Sequence, residues 1–155
     1  MADATPLAAL LDQLGDALEA AVEYCATHRA NPARSEEGWT AAQLPTHFIY
    51  YHNVAAWGIH SVALGMSPWR NPWLADQINA VCMPLHEAET PEELALQLRL
   101  AQRRLCAAVT ATLSPDAIVH HRADGETVTL RQRLTETLTH YRNHLQSLRD
   151  AVSTG

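Results

Sequence analysis

Two histidines, His140 and His144, lie four residues apart in the segment THYRNHLQSLRD. On an α-helix, residues with this spacing differ by about 40° in direction and by one turn of rise, so both side chains point to the same side. They flank Tyr141 at the border of an apolar stripe, where a side chain enters a core instead of water. A buried neutral imidazole without a partner is costly. The pair therefore predicts two ligands for one metal ion, although two surface histidines would have the same spacing.

A third histidine is the test of this interpretation, and the segment LPTHFIYYHN offers His47 and His52. His47 shares one helical face with Leu44, Phe48, Tyr51 and Ala55. His52 is rotated away from His47 by roughly 140° on an ideal helix, so the two cannot serve one site. We predict that His47 is the third ligand and that His52 faces solvent or another helix.

Three neutral imidazoles leave a coordination position open for water or substrate, as in catalytic zinc sites. The same ligands suit zinc or nickel first, and iron or manganese also. A closed structural site would need a fourth protein ligand. His120 and His121 could supply one, but adjacent histidines in a connecting segment are more often exposed.

Apolar residues recur at helical spacing in four segments, which predicts four long amphipathic helices. They run from Pro6 to near Thr27, from Leu44 to Val62, from Pro91 until Ser114-Pro115, and from Leu130 almost to the C-terminus. A short helical piece is expected in ADQINAVC and a small β-hairpin around Asp124-Gly125. We therefore predict an all-α fold, a four-helix bundle with longer connections, as a single domain over residues 1–155.

Composition narrows the class of function. The chain has 155 residues, 47% of them hydrophobic, and a formal charge of −6, which disfavours a nucleic-acid partner. All 11 basic residues are arginine, so a Schiff-base lysine is excluded. Its three cysteines lie far apart and predict neither a disulfide framework nor a cysteine zinc site. With no signal-peptide or membrane-span pattern, we expect a cytoplasmic protein.

The order EEGWTAAQLPTHFIYYH, a long third helix ending in LSPD, and then DGETVTLRQRLTETLTHYRNHLQSL resembles the DinB-like (YfiT-related) metal-binding four-helix bundles. The resemblance covers roughly residues 5 to 150. Only a few residues are specific to the family. They are Trp39-Thr40 ahead of His47, Gly125-Glu126 with Thr129-Leu130, and the pair His140 and His144. It maps the family's three metal ligands onto His47, His140 and His144. Pro45 departs from the family pattern, which has an ordinary helix former there.

The family is similar to metal-dependent thiol transferases and isomerases that use low-molecular-weight thiols such as bacillithiol, mycothiol or glutathione. The resemblance therefore implies a thiol S-transferase, or a related hydrolase with water as the nucleophile, that acts on an electrophilic small molecule. It also implies a homodimer. The alternative is a bundle that binds metal without turnover, as a scaffold or stress-related protein.

Several side chains are candidates for binding a substrate, and each also has a simpler structural explanation. Tryptophans beside prolines usually cap a core, an arginine on the last helix usually faces solvent, and a bundle tyrosine is usually a core residue with a wet hydroxyl. Glu126 and Glu136 are weak candidates for a general base. The substrate-binding candidates are Trp69, Arg70, Trp73, Tyr51 and Arg142.

Overall fold

The computed structural model describes residues 6–72, 74–86, 88–110 and 114–154. The described part is mainly helical, as predicted, with a small three-stranded sheet in addition. The helices are α1 (Leu7–Thr27), α2 (Leu44–Ala63), α3 (Ala75–Leu85), α4 (Pro91–Thr110) and α5 (Leu130–Thr154). The strands are β1 (Trp69–Arg70), β2 (Ile118–His121) and β3 (Thr127–Thr129). None of these helices is both long and apolar enough to cross a membrane.

The four long helices bury the apolar stripes that predicted them. α2 packs on α4 and α1 packs on α5, while α2 also contacts α5. The largest buried side chains of this core come from all four helices, among them Leu14, Phe48, Leu98 and Tyr141. The contact between α2 and α5 brings the predicted histidines together, because they lie on these two helices.

Local capping explains where the helices begin. Before α4, the Thr90 amide donates to the Glu93 carboxylate at 2.8 Å and the Glu93 amide donates to the Thr90 hydroxyl at 3.2 Å, which is a capping box. Thr40 and Gln43, which have the same spacing, close a turn ahead of α2, and the helix starts at Leu44. Pro45 lies in the first turn, where its missing amide proton costs nothing. The predicted end of α4, at residues 111–113, lies outside the described residues.

The sheet confirms one prediction and corrects another. β2 and β3 form the expected antiparallel hairpin, with Gly125 at a φ of 93° in its turn. β1 adds to β2 in parallel, with Trp69 opposite His120, and this pairing was not predicted. His120 and His121 were expected to be simply exposed, but both belong to β2 and His120 is buried. Gly58 of α2 lets the helix approach this strand, since a Cβ there would lie 3.2 Å from the Val119 carbonyl oxygen.

His52 faces another helix, one of the two positions predicted for it. It is fully buried, and its Nδ1 shares a hydrogen bond of 3.1 Å with the Tyr141 hydroxyl of α5. Burial lowers the pKa of His52 to about 4, so the imidazole is neutral at physiological pH. This contact ties α2 to α5 through the core, on a different side of α2 from His47.

Replacing Tyr141 by Phe is expected to lower the free energy of unfolding by about 1–3 kcal/mol, because a buried imidazole nitrogen loses its partner. Tyr24→Phe is the matched control, since Tyr24 of α1 is half-buried and its hydroxyl makes no hydrogen bond within the described residues. Urea unfolding of both variants measures the difference. Equal stabilities of the two variants would contradict the role given to the His52 contact.

Candidate metal centre

His47 of α2 and the pair His140 and His144 of α5 meet where the two helices pack together. One ring nitrogen of each lies within 4.8 Å of a ring nitrogen of the other two. The Nε2 atoms of His47 and His140 are 2.8 Å apart. The structure thus brings together the three residues that the spacing selected, and together they could hold a metal ion.

Burial keeps these imidazoles in the form that binds metals. It lowers the pKa of His47 to about 4 and that of His140 to about 3, and the proximity of His144 contributes to both shifts. Burial also lowers the pKa of His144, although Glu37 opposes that change. All three side chains are therefore neutral at physiological pH, with ring lone pairs available to a cation.

To hold a small divalent ion, the Nε2 atoms of His47 and His140 would have to separate slightly from 2.8 Å, and the widest separation within the group, up to 4.8 Å, would have to shorten. Two imidazole nitrogens on a tetrahedral zinc, each bonded at about 2.0–2.1 Å, are separated by about 3.3 Å. The 2.8 Å between His47 and His140 is a hydrogen-bond distance, at which one Nε2 proton is shared between them. A bound ion would take the place of this proton, His140 would then carry its proton on Nδ1, and the two Nε2 atoms would move apart by about half an ångström.

Asn79 of α3 fixes the orientation of His47. Its side-chain oxygen lies 3.1 Å from His47 Nδ1 and can accept the Nδ1 proton. Nε2 then carries the lone pair that faces His140. Outer partners of this kind select the tautomer of metal-binding histidines and raise their basicity. Asn79 was not predicted, because nothing in the spacing of ADQINAVC indicates that α3 lies over α2.

Glu37 lies beside the Nδ1 atom of His144, as Asn79 lies beside that of His47. Its Oε2 lies 3.4 Å from His144 Nδ1, within ion-pair distance. That nitrogen is buried and has no aligned hydrogen bond within the described residues. Although burial raises it, hydrogen bonds from its own backbone and from Ser35 hold the pKa of Glu37 below its ordinary value, so the group is ionised. A small approach by Glu37 would make it the acceptor that orients His144. The segment EEGWT placed Glu37 close to the Trp-Thr helix start, but it was not singled out.

Aromatic rings pack against the histidines of the candidate centre. Trp39 stacks on His47 with ring centroids 4.7 Å apart. The Tyr51 ring lies 4.8 Å from that of His47 and 4.9 Å from that of His140, so this substrate-binding candidate does reach the site. Burial raises the pKa of Tyr51, with Tyr50 adding to the shift, and its hydroxyl stays protonated at neutral pH. These rings exclude water from part of the site and leave a hydroxyl donor at its edge.

The other candidates that lie within the described residues, Trp69, Arg70 and Arg142, do not reach the centre. Arg142 is exposed and donates to Gln13 of α1 at 3.1 Å. Arg70 is exposed on β1. Trp69 packs against His120 and, with Tyr50 and Cys82, lines a cavity of about 410 Å³ beside α2. Trp73 lies outside the described residues.

No fourth protein ligand joins the three histidines within residues 6–72, 74–86, 88–110 and 114–154. His120 and His121 are not part of the group. The carboxylates considered as bases, Glu126 and Glu136, both accept hydrogen bonds from Arg122. The candidate ligands in this part of the chain are therefore three imidazoles, which would leave a coordination position for another molecule.

No protein-family model, no curated protein and no solved structure matches this chain.

Asn79→Ala is expected to weaken metal binding by about 10- to 100-fold, because His47 loses the acceptor that selects its tautomer. Asn79→Asp keeps an acceptor oxygen at the same place and should retain near wild-type affinity. Competition with a chromogenic chelator measures both dissociation constants. Equal weakening in the two variants would show that α3 packing, and not the hydrogen bond, supports the site.

Acidification is expected to destabilise the metal-free protein. The pKa values of His47 and His140, about 4 and about 3 in the folded state, lie below their ordinary 6.5, so between these values the unfolded chain binds more protons. The free energy of unfolding should therefore be insensitive to them above about pH 6.5 and fall as the pH decreases toward 4.

Urea unfolding in the presence of a chelator, from about pH 7.5 down to 4.5, tests this dependence. The double variant His47→Gln/His140→Gln should flatten the slope, while His60→Gln, at an exposed position of α2, should not. A double variant with the wild-type slope would rule out these two histidines as its source.

Proposed function

We propose that this protein is a metal-dependent enzyme of the DinB-like kind, a thiol S-transferase or a related hydrolase that acts on an electrophilic small molecule. The observation that carries the proposal is the meeting of three neutral imidazoles, within 4.8 Å of one another, with no fourth ligand in the described chain. The order of the elements, the packing of four long helices and the hairpin before α5 agree with the four-helix bundle that the resemblance implies.

The donor set suits zinc or nickel best, and iron or manganese can also be held by imidazoles. A divalent ion at His47, His140 and His144 would lower the pKa of a thiol or water that binds it, which supplies a nucleophile at neutral pH. A low-molecular-weight thiol is the proposed co-substrate. A cytoplasmic location, as expected from the sequence, and a homodimer, as implied by the resemblance, belong to the same proposal.

The protein's own residues orient and shield this centre. Asn79 holds the proton on His47 Nδ1, and Glu37 is positioned to do the same for His144 Nδ1. Trp39 covers one face of His47 and excludes water there. Tyr51, protonated and half-buried beside His140, is positioned to donate a hydrogen bond to a bound molecule.

One observation favours the second candidate, a bundle that binds metal without turnover. The cavity of about 410 Å³ beside α2 is lined by Tyr50, Trp69 and Cys82, and the three histidines are not among its lining residues. A scaffold needs no substrate cavity at its metal, whereas an enzyme needs access to the open coordination position.

Metal analysis of the purified, tag-free protein is the first experiment. We expect close to one divalent ion per chain, and at least about a tenfold loss of bound metal in His47→Ala, His140→Ala and His144→Ala. His60→Ala is the matched control, since it removes an exposed histidine from the same helix as His47. Absence of metal from the wild type after reloading, or its retention in all three variants, would eliminate the proposed site.

Activity of metal-loaded and chelated protein then separates the two candidates. Conjugation of bacillithiol, mycothiol or glutathione to a chromogenic aryl halide tests thiol transfer, and an activated ester without thiol tests hydrolysis. The enzyme proposal expects turnover that requires the metal and is lost in His140→Ala. Stoichiometric metal without turnover in any assay would favour the scaffold.

A further inference from the structure

Arg133 is a half-buried arginine whose Nε atom is enclosed by the protein. It precedes His140 by seven residues on α5, so its side chain leaves the helix within about 20° of the direction of His140. Its Nε atom is inaccessible to solvent and has no hydrogen-bond partner within the described residues. Its guanidinium forms no ion pair in the same part of the chain, unlike Arg122, which binds Glu126 and Glu136.

The surroundings of Arg133 are mostly neutral. The arginine is close enough to His140 and His120 to help depress the pKa of each, and close enough to Tyr50 and Tyr51 to act on theirs. Each of these four side chains is uncharged at neutral pH, because burial lowers the histidine pKa values and raises those of the tyrosines.

The carboxylate nearest to Arg133 along α5, that of Glu136, already binds another arginine. Glu136 attracts Arg133, but its Oε1 accepts a hydrogen bond from Arg122. Burial lowers the pKa of Arg133, and Arg122 repels it further. An arginine nevertheless remains charged at neutral pH. The protein thus holds a cation on the same side of α5 as the metal centre, with a buried donor left unused.

A buried charge is costly unless an opposite charge pairs with it. A guanidinium presents its donors in a planar fork that matches a carboxylate, and such charge-assisted bonds are stronger than neutral ones. The phenol groups of Tyr50 and Tyr51 add possible donors nearby. A carboxylate on a bound small molecule would satisfy this position.

We propose that Arg133 binds a carboxylate on the molecule that reacts at His47, His140 and His144, so that the protein selects anionic small molecules. This inference rests on the proposed function, because it assumes that the three histidines hold the reacting group. It assigns Arg133 to substrate recognition, a role for which Arg70 and Arg142 were the candidates from sequence.

The test uses the full chain loaded with Co²⁺, whose absorption reports thiolate binding. Thioglycolate, 3-mercaptopropionate and 4-mercaptobutyrate are titrated, each against its neutral amide, and the three lengths sample different separations of thiol and carboxylate. In the wild type at least one acid should bind about tenfold more tightly than its amide. In Arg133→Gln this preference should vanish, while the amide affinity and the cobalt content stay unchanged.

Arg149→Gln is the matched control, because it removes the same charge from an exposed position of the same helix, and it should keep the preference. Arg133→Lys keeps the charge without the fork and should retain only part of the preference. Equal binding of acid and amide by the wild type, or an unchanged preference in Arg133→Gln, would overturn the proposal. Loss of cobalt or of the folded state in Arg133→Gln would also overturn it, since the residue would then be structural.

A metal-free arm separates failure of this inference from failure of the metal site. If the wild type takes up no cobalt, the proposed function fails, and the Arg133 Nε–H resonance of the ¹⁵N-labelled protein still reports on the carboxylate. Propionate should shift that resonance and propionamide should not. No shift with propionate would reject the carboxylate site on its own.

Discussion

Burial forces the imidazoles between α2 and α5 to be neutral, and the arrangement of the site depends on that constraint. His47 and His140 bring ring nitrogens to 2.8 Å, a distance at which two imidazolium ions would repel strongly. Their pKa values, about 4 and about 3, show how far the fold favours the uncharged form. Neutral rings this close need either a shared proton or a cation between them. The contact between His47 and His140 thus both joins α2 to α5 and provides the capacity to bind a metal.

The segments that connect the long helices orient the histidines that the helices supply. Asn79 comes from α3, in the connection after α2, and Glu37 from the loop ahead of α2. Each faces the Nδ1 atom of a different histidine, and such outer partners tune a metal site as much as its ligands do. The packing of the long helices therefore sets which side chains meet, while the connections set how each ring presents its lone pair. Changes in these connections would alter the chemistry without altering the core.

The sequence predicted the three clustered histidines because their signals are local. The spacing of His140 and His144, and the shared face of His47 with Phe48, follow from the helical repeat alone. Asn79 could not be found in that way, since its contact with His47 depends on how α3 folds back over α2. The same limit applies to the sheet: β1 is a pair of residues, too short for any alternation, and it joins β2 across about 50 residues of chain.

The sequence also did not predict which individual polar side chains are buried. His120 was expected to be exposed together with His121, because the sequence pattern of a hairpin does not show whether a helix packs over it. Gly58 is the residue that allows this cover, by bringing α2 to within van der Waals contact of the Val119 carbonyl. Arg133 was passed over for a similar reason: within the stripe of α5 it was one polar position among several, and only its packing distinguishes it from the exposed arginines nearby.

The chain carries a net negative charge, whereas Arg133 and a bound metal ion would add positive charge at the proposed site, which bears on how ligands arrive. A net charge of −6 attracts a divalent cation and weakly repels an anionic substrate at long range. At physiological ionic strength this field is screened over about 8 Å, so it adds little to steering. Selection of an anion would then depend on short-range contacts in a desolvated site, where Arg133 and a bound cation both act. Such a site gains its affinity from slow release more than from fast capture, as is general for buried charge pairs.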